Sequence, residues 1–352
     1  MGIHSRTAAL TIALTIAMGL SSITAAAADA ISDFYQGKTI TLYVGAGAGG
    51  SYDIYARTLA EYMPAHIPGK PTMIVKMAGG AGGGLPAANQ AHNTAPRDGT
   101  FVAMTQQTIV ANQLLYPKSA HYDVRQWNWV GLMAPTRNML AVWHTAPAQS
   151  IEEAKQKEVI IGATGRASPT YIVPQVLNEV LGTKFKMVLG YNGVADLNLA
   201  MERGEIQGRG ASWISVATQA PQYITEKKLK PLVVDGLTRE PLIPDVPLMI
   251  ELAPTEKDRE VMAFISSAAE FGRSVFAPPG VPADRVAALR TAFDATMKDP
   301  ALLKTAEQRK IPIEPQDGKA LGDVATKIAS SSPEAVAAAR RLMGIAEDSA
   351  PE

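Results

Sequence analysis

The sequence predicts an α/β protein of two domains, each a parallel or mixed sheet flanked by helices and joined by crossing strands. Three observations carry this. Residues 39–105 alternate strand and helix, which calls for a parallel sheet with a ligand crevice at the strands' C-terminal ends. Residues 151–235 repeat a strand, polar loop, helix rhythm. The chain of 352 residues also exceeds one domain of about 100–200 residues.

In chain order, residues 39–44 place Ile40, Leu42 and Val44 on one strand face. Gly45, Gly47, Gly49 and Gly50 follow, removing the Cβ atoms that hold a backbone away from a neighbour. Tyr55, Leu59 and Tyr62 then form an apolar helical stripe that Pro64 ends. Residues 72–75 form the second strand, and a second glycine loop spans 79–84. Pro86 suits the first turn of a short helix over 85–91. Asp98-Gly99 is a turn before the third strand, 100–105. Residues 106–117 read as helix then loop, and 127–133 and 139–144 as extended. The crossing to the second domain falls at 134–138.

The second domain opens with a helix at 151–157, a strand at 159–163 and a polar loop at 164–168. Pro169 starts a helix to 181, followed by a strand at 185–189, loop 190–193 and helix 194–203. A short strand at 205–208, a helical stretch at 213–228 and a strand at 229–235 complete it. After the proline-rich loop 241–247 come a helix at 256–267 and a strand at 273–277 that leads back to the first domain. Val286, Leu289, Phe293 and Met297 then share one helical stripe. Residues 300–342 are helical apart from an extended piece at 311–314, and the tail from 347 frays. The expected boundaries are 29–134 with 263–352 for domain 1, and 135–262 for domain 2.

His4 and Arg6, the apolar run 8–20 and small residues with A-x-A steps over 21–30 predict a signal peptide over 1–28, and thus a periplasmic protein. The alternative, a membrane helix, is short of the ~20 apolar residues a span needs. With 33 basic and 33 acidic residues there is no net field to draw nucleic acid or a membrane surface. The absence of cysteine excludes disulfides, thiolate chemistry and Cys-ligated zinc.

Gly45 to Gly50 matches G-x-G-x-x-G, but the second strand ends Val75-Lys76-Met77 without the acid that a dinucleotide site places there. Glycine loops at neighbouring strand ends, ahead of helix N-termini, suit a small anion instead. The second loop also admits a plainer reading as a tight turn. In 162–170, Ser168 either caps the helix that Pro169 opens or meets a ligand. Arg166 either grips a carboxylate or lies solvated. The five histidines lack metal-ligand spacing, and no G-x-S-x-G or H-E-x-x-H occurs. No catalytic residue, metal or cofactor is expected. Trp127, Trp129, Trp143 and Trp213 are read as core.

These residues together resemble the extracytoplasmic solute receptors of tripartite tricarboxylate transporters, the Bug family of periplasmic binding proteins. The marks are Gly49, Gly50, Asp53, Ala56 and Arg57, the loop 79–84, and 95–100 (APRDGT). Further marks are 165–168, Tyr191-Asn192-Gly193, 237–239 with 243–247, and 276–282. The resemblance implies a hinged fold of the type II periplasmic-binding-protein kind that closes on a carboxylate and hands it to large and small membrane subunits of a permease, as a monomer. Carried over, the ligand-binding candidates are Ser51, Tyr52, Asp53, Ala81, Gly82, Thr164, Arg166, Ser168, Thr170 and Tyr191. Tyr52 and Tyr171 depart from the family pattern and suggest a larger or aromatic acid. The rival readings are an exported hydrolase or isomerase using Asp53 or Ser168, and a sensor presenting ligand to a membrane kinase.

Overall fold

The computed structural model describes residues 29–345. The expected signal peptide and the last residues of the tail lie outside them. A helix over 29–35 precedes the first sheet. That sheet contains β1 (Thr39–Val44), β2 (Thr72–Met77), β3 (Phe101–Met104), β4 (Asn128–Leu132), β10 (Ser274–Ala277) and β11 (Gln316–Asp317), in the order β11-β4-β10-β3-β1-β2. β1 pairs in parallel with β2 and β3, whereas β10 runs antiparallel to β3 and β4. The second sheet contains β5 (Asn138–Trp143), β6 (Val159–Gly162), β7 (Phe185–Val188), β8 (Gly208–Ser212) and β9 (Leu229–Asp235), in the order β7-β6-β8-β5-β9. β6 pairs in parallel with β7 and β8, and β5 lies antiparallel between β8 and β9. The chain passes between the sheets through residues 133–137 and 236–273.

Sequence patterning sets the core. Ile40, Leu42 and Val44 are fully buried beneath Tyr55 and Leu59 of the helix Ser51–Tyr62. Leu289 and Phe293 of the helix Ala283–Thr296 close the same face. Phe293 fits because β4 carries Gly131, where a Cβ would stand 2.3 Å from the ring. Trp127 stacks on Phe276 at 3.8 Å, and Trp127, Trp129 and Trp143 are buried as expected.

Three elements differ from the sequence reading. The strand expected at 205–208 is β8, five residues long and starting three residues later, at Gly208–Ser212. Two glycines and an arginine hide its character, since none of them favours strands. The glycines are required by crowding: a Cβ on Gly208 would lie 2.7 Å from Ala141 O, and one on Gly210 3.1 Å from Thr170 Cα. The helix expected over 213–228 is two, Trp213–Gln219 and Gln222–Thr225, divided at Pro221. Residues 311–314 form no strand; Glu314 N–H donates to Met133 O, and the pairing with β4 falls at β11.

Candidate functional site

A cavity of about 80 Å³ lies between the sheets, at the C-terminal ends of β1, β3, β6 and β8. A larger groove, of about 830 Å³, opens elsewhere beside Arg57 and Arg309, but it lacks converging strand ends and helix starts. The smaller, enclosed cavity is therefore the better site. One wall holds Gly47, Gly50, Ser51, Tyr52, Gly80, Gln106 and Gln107. The other holds Thr164, Pro169, Thr170, Asn192, Gly193, Val194, Gly210 and Ser212, with Asn138 and Met139 from the crossing strand.

Three helices of nine or more residues begin at this cavity: Ser51–Tyr62, Pro169–Leu181 and Val194–Glu202. Their N-caps, Gly50, Ser168 and Gly193, give no side-chain hydrogen bond to the first-turn amides. Each helix start carries about half a positive charge. Gln107 is buried, accepts from the Tyr52 hydroxyl at 3.0 Å through Oε1, and leaves its Nε2 donor without a partner among the described residues. No residue lining the cavity is charged.

One buried arginine, Arg273, reaches the site through Ser51 and Ser212, and a second, Arg209, is buried in β8 without lining the cavity. Arg273, just before β10, donates to Ser51 Oγ at 2.5 Å, to Pro135 O at 3.3 Å and to Thr136 Oγ1. It lies over the rings of Tyr52 and Tyr55. Arg209, in β8 beside Gly210, has no hydrogen-bond partner among the described residues, and burial lowers its pKa to about 10. The positive helix ends, the unpartnered donor and Arg273 together favour an anion.

The expected site residues divide. Ser51, Tyr52, Thr164 and Thr170 line the cavity. Asp53 is drawn inward along its helix, accepting from Gly49 N–H at 3.1 Å and pairing with Arg57 at 2.7 Å. Ser168 does not cap its helix; its hydroxyl meets Thr170 Oγ1. Arg166 donates to the Tyr171 hydroxyl at 3.0 Å instead of lining the cavity. Tyr191 packs beside Gly162. Ala81 begins a tight turn in which Gly82, Gly83 and Gly84 are all left-handed, a run that glycine alone adopts readily.

Several glycines admit the opposite lobe rather than a ligand. A Cβ on Gly47 would lie 2.4 Å from Asn192 O, on Gly80 2.9 Å from the same atom, and on Gly83 2.5 Å from Ala167 C. Gly80 N–H itself donates to Asn192 O at 3.0 Å. Thr108 and Asn112 both donate to Ala167 O, and Tyr116 to Arg166 O. The lobes are thus closed on each other. Sequence reasoning missed Gln106 and Gln107, which the end of the third strand could have signalled, and Asn192, which stood in a quoted motif. Ser212 was hidden by the misplaced strand, and Arg273 lies 222 residues from Ser51.

Fold and site define a two-lobed α/β binding protein, with two mixed sheets of the type II periplasmic-binding-protein kind, closed around an anion-favouring cavity. The model of the tripartite tricarboxylate transporter family receptor matches residues 55–326, and the chain belongs to that family. It is 27% identical over 278 residues to a UPF0065 protein in the TAR-I ttuE-ttuC' intergenic region of Agrobacterium vitis, covering 77% of this chain and 75% of that one. The periplasmic binding protein BugD superposes with a TM-score of 0.70 at 21% identity, covering 88% of this chain and 99% of that one. R. palustris Rpa4515, solved with adipate, gives a TM-score of 0.67 at 20% identity, covering 88% and 98%. At such identity the structures share the fold.

Proposed function

We propose that this protein is a periplasmic receptor that captures a small organic carboxylate between two domains, 29–134 with 263–352 and 135–262, and delivers it to membrane permease subunits without catalysis. The observation that carries this is the convergence of three helix starts without side-chain caps on a cavity lined by neutral donors. The likeness to a fold solved with adipate supports the ligand class. Ser51, Tyr52, Thr164 and Thr170 hold the acid together with Gln107, Asn138, Asn192 and Ser212.

The cavity favours a short acid. At about 10–15 Å³ for each water-sized group, 80 Å³ admits roughly five to eight such groups. Tyr171 stands away from the cavity on Arg166, and the Tyr52 hydroxyl is bound to Gln107, so neither tyrosine enlarges the pocket as the sequence suggested. A hydrolase reading finds little support: Asp53 is committed to Gly49 and Arg57, and Ser168 meets a threonine rather than a base. Among the described residues no cluster of acids and histidines could hold a metal.

A thermal-shift series from malonate to adipate, with aromatic acids, sugars and amines beside it, tests the reading. A true ligand at 100 times its dissociation constant adds ~2.7 kcal/mol of stability. Stabilisation by sugars or amines alone refutes a carboxylate receptor.

A further inference from the structure

Arg273 is fully buried, yet its partners are all neutral: two serine hydroxyls, Thr136, the Pro135 carbonyl and two tyrosine rings. Among the described residues it forms no ion pair, and its Nε has no hydrogen-bond partner. The buried Glu240 carboxyl feels Arg273 without pairing with it, and a guanidinium taken out of water without a directly paired counter-charge is costly. Such a group is kept where another charge arrives to complete it.

Its Nη2 points to one serine from each lobe, Ser51 at 2.5 Å and Ser212 at 3.5 Å. Both serines line the cavity. Each oxygen accepts from the guanidinium, and Ser212 Oγ also accepts from Ser215 N–H at 3.4 Å. A hydroxyl carries one proton. With their oxygens engaged as acceptors on the inner side, the two hydroxyls have their own protons left to donate into the cavity. A neutral serine pair would take a donor or an acceptor; this pair is polarised toward acceptors.

Resting on the carboxylate-receptor reading, we infer that Arg273, Ser51 and Ser212 form an acceptor-only subsite. It holds one ionised carboxylate oxygen across the two lobes and prefers it to the carbonyl oxygen of the corresponding amide, which accepts the same hydroxyls but carries no charge. Arg273 acts as a positioning residue through the serines and supplies the missing opposite charge. The hydroxyls come from different lobes, so the subsite is complete only when the lobes are closed. Anion selectivity and closure are thereby one event.

The test uses the acid that most stabilises the parent protein, together with its primary amide, in calorimetric titrations. The parent should bind the acid at least 10-fold more tightly than the amide. Arg273→Gln should weaken acid binding 10- to 100-fold and leave amide binding within about 3-fold, collapsing the selectivity. Arg273→Lys should recover part of it, since the charge returns. Ser212→Ala should weaken the acid about 5- to 20-fold, with little further loss when added to Arg273→Gln. If Arg273→Gln does not fold, Ser212→Ala decides by its acid-to-amide ratio, because it leaves the contacts to Ser51, Thr136 and Pro135 in place. A folded variant that keeps the parent selectivity, or that loses acid and amide equally, overturns the subsite while the receptor reading stands. If no acid binds the parent, both fall together.

Discussion

Replacing Gly47 with alanine isolates the closing step. The three nearest atoms to the new Cβ all belong to the opposite lobe: Asn192 O at 2.4 Å, Asn192 C at 3.0 Å and Gly193 Cα at 3.1 Å. The backbone at Gly47 is outside the left-handed region, so alanine brings no strain of its own. Ordinary contact begins near 3.4 Å, so the loops must separate by about 1 Å. That stretches the Gly80 N–H to Asn192 O bond, now 3.0 Å. Overpacking costs about 1–3 kcal/mol and a hydrogen bond about 1 kcal/mol; the two overlap, giving about 2–3 kcal/mol against closure. Ligand affinity should fall about 30- to 150-fold. Titration calorimetry measures the affinity, and small-angle scattering should show a smaller compaction on ligand addition. Each lobe keeps its own packing. Parent-like affinity and compaction in Gly47→Ala would refute the claim that these glycines serve lobe contact.

Three further changes test the site and its frame. Gln107→Glu keeps an acceptor for Tyr52 but replaces the unpartnered donor with a negative charge; acid binding should drop at least 100-fold in titration. Arg166→Ala removes a side chain held by Tyr171, away from the cavity, so affinity should stay within about 2-fold; a large loss would return Arg166 to the site. Asp235 is buried and accepts from Ser266, and burial raises its pKa to about 6. A raised carboxyl stabilises the fold below its unfolded pKa, near 3.8, and loses that contribution as pH rises through about 6. Asp235→Asn should therefore raise stability near pH 7.5 by about 2–3 kcal/mol and flatten the pH dependence between 4 and 6, read by denaturant titration.

Local patterning made the strands and the principal stripes legible. β1 alternates strictly, β9 carries the apolar run Leu232 to Val234, and Val286, Leu289, Phe293 and Met297 recur at helical spacing. β8 was misplaced because its glycines answer to Ala141 and Thr170, which only the fold brings near. Within the site, residues adjoining strand ends could be found: Ser51, Tyr52, Thr164 and Thr170 lie where a strand stops and a helix starts. Arg273 could not, because its chemistry depends on Ser51, Thr136 and Ser212 meeting at one point. Arg166 illustrates the converse. Its position in a polar loop suggested a ligand contact, and the hydroxyl of Tyr171, five residues on in the helix that follows, takes it instead.

The glycine loops serve two demands that the sequence presents as one. Removing a Cβ admits either an anion to an amide or another backbone to this one. At Gly50 the nearest opposite atom is 3.6 Å away and the amides of the following turn begin at the cavity. At Gly47, Gly80 and Gly83 the opposite lobe takes the space. At these three glycines the contact is backbone on backbone and buries little apolar surface, so it adds modest energy of its own. A ligand shifts the balance by its differential affinity for the closed form. On the proposed reading that difference comes from donors on both walls, which only the closed form brings together. Tightening the lobe contacts would raise affinity while blurring the distinction between filled and empty forms that a permease must read.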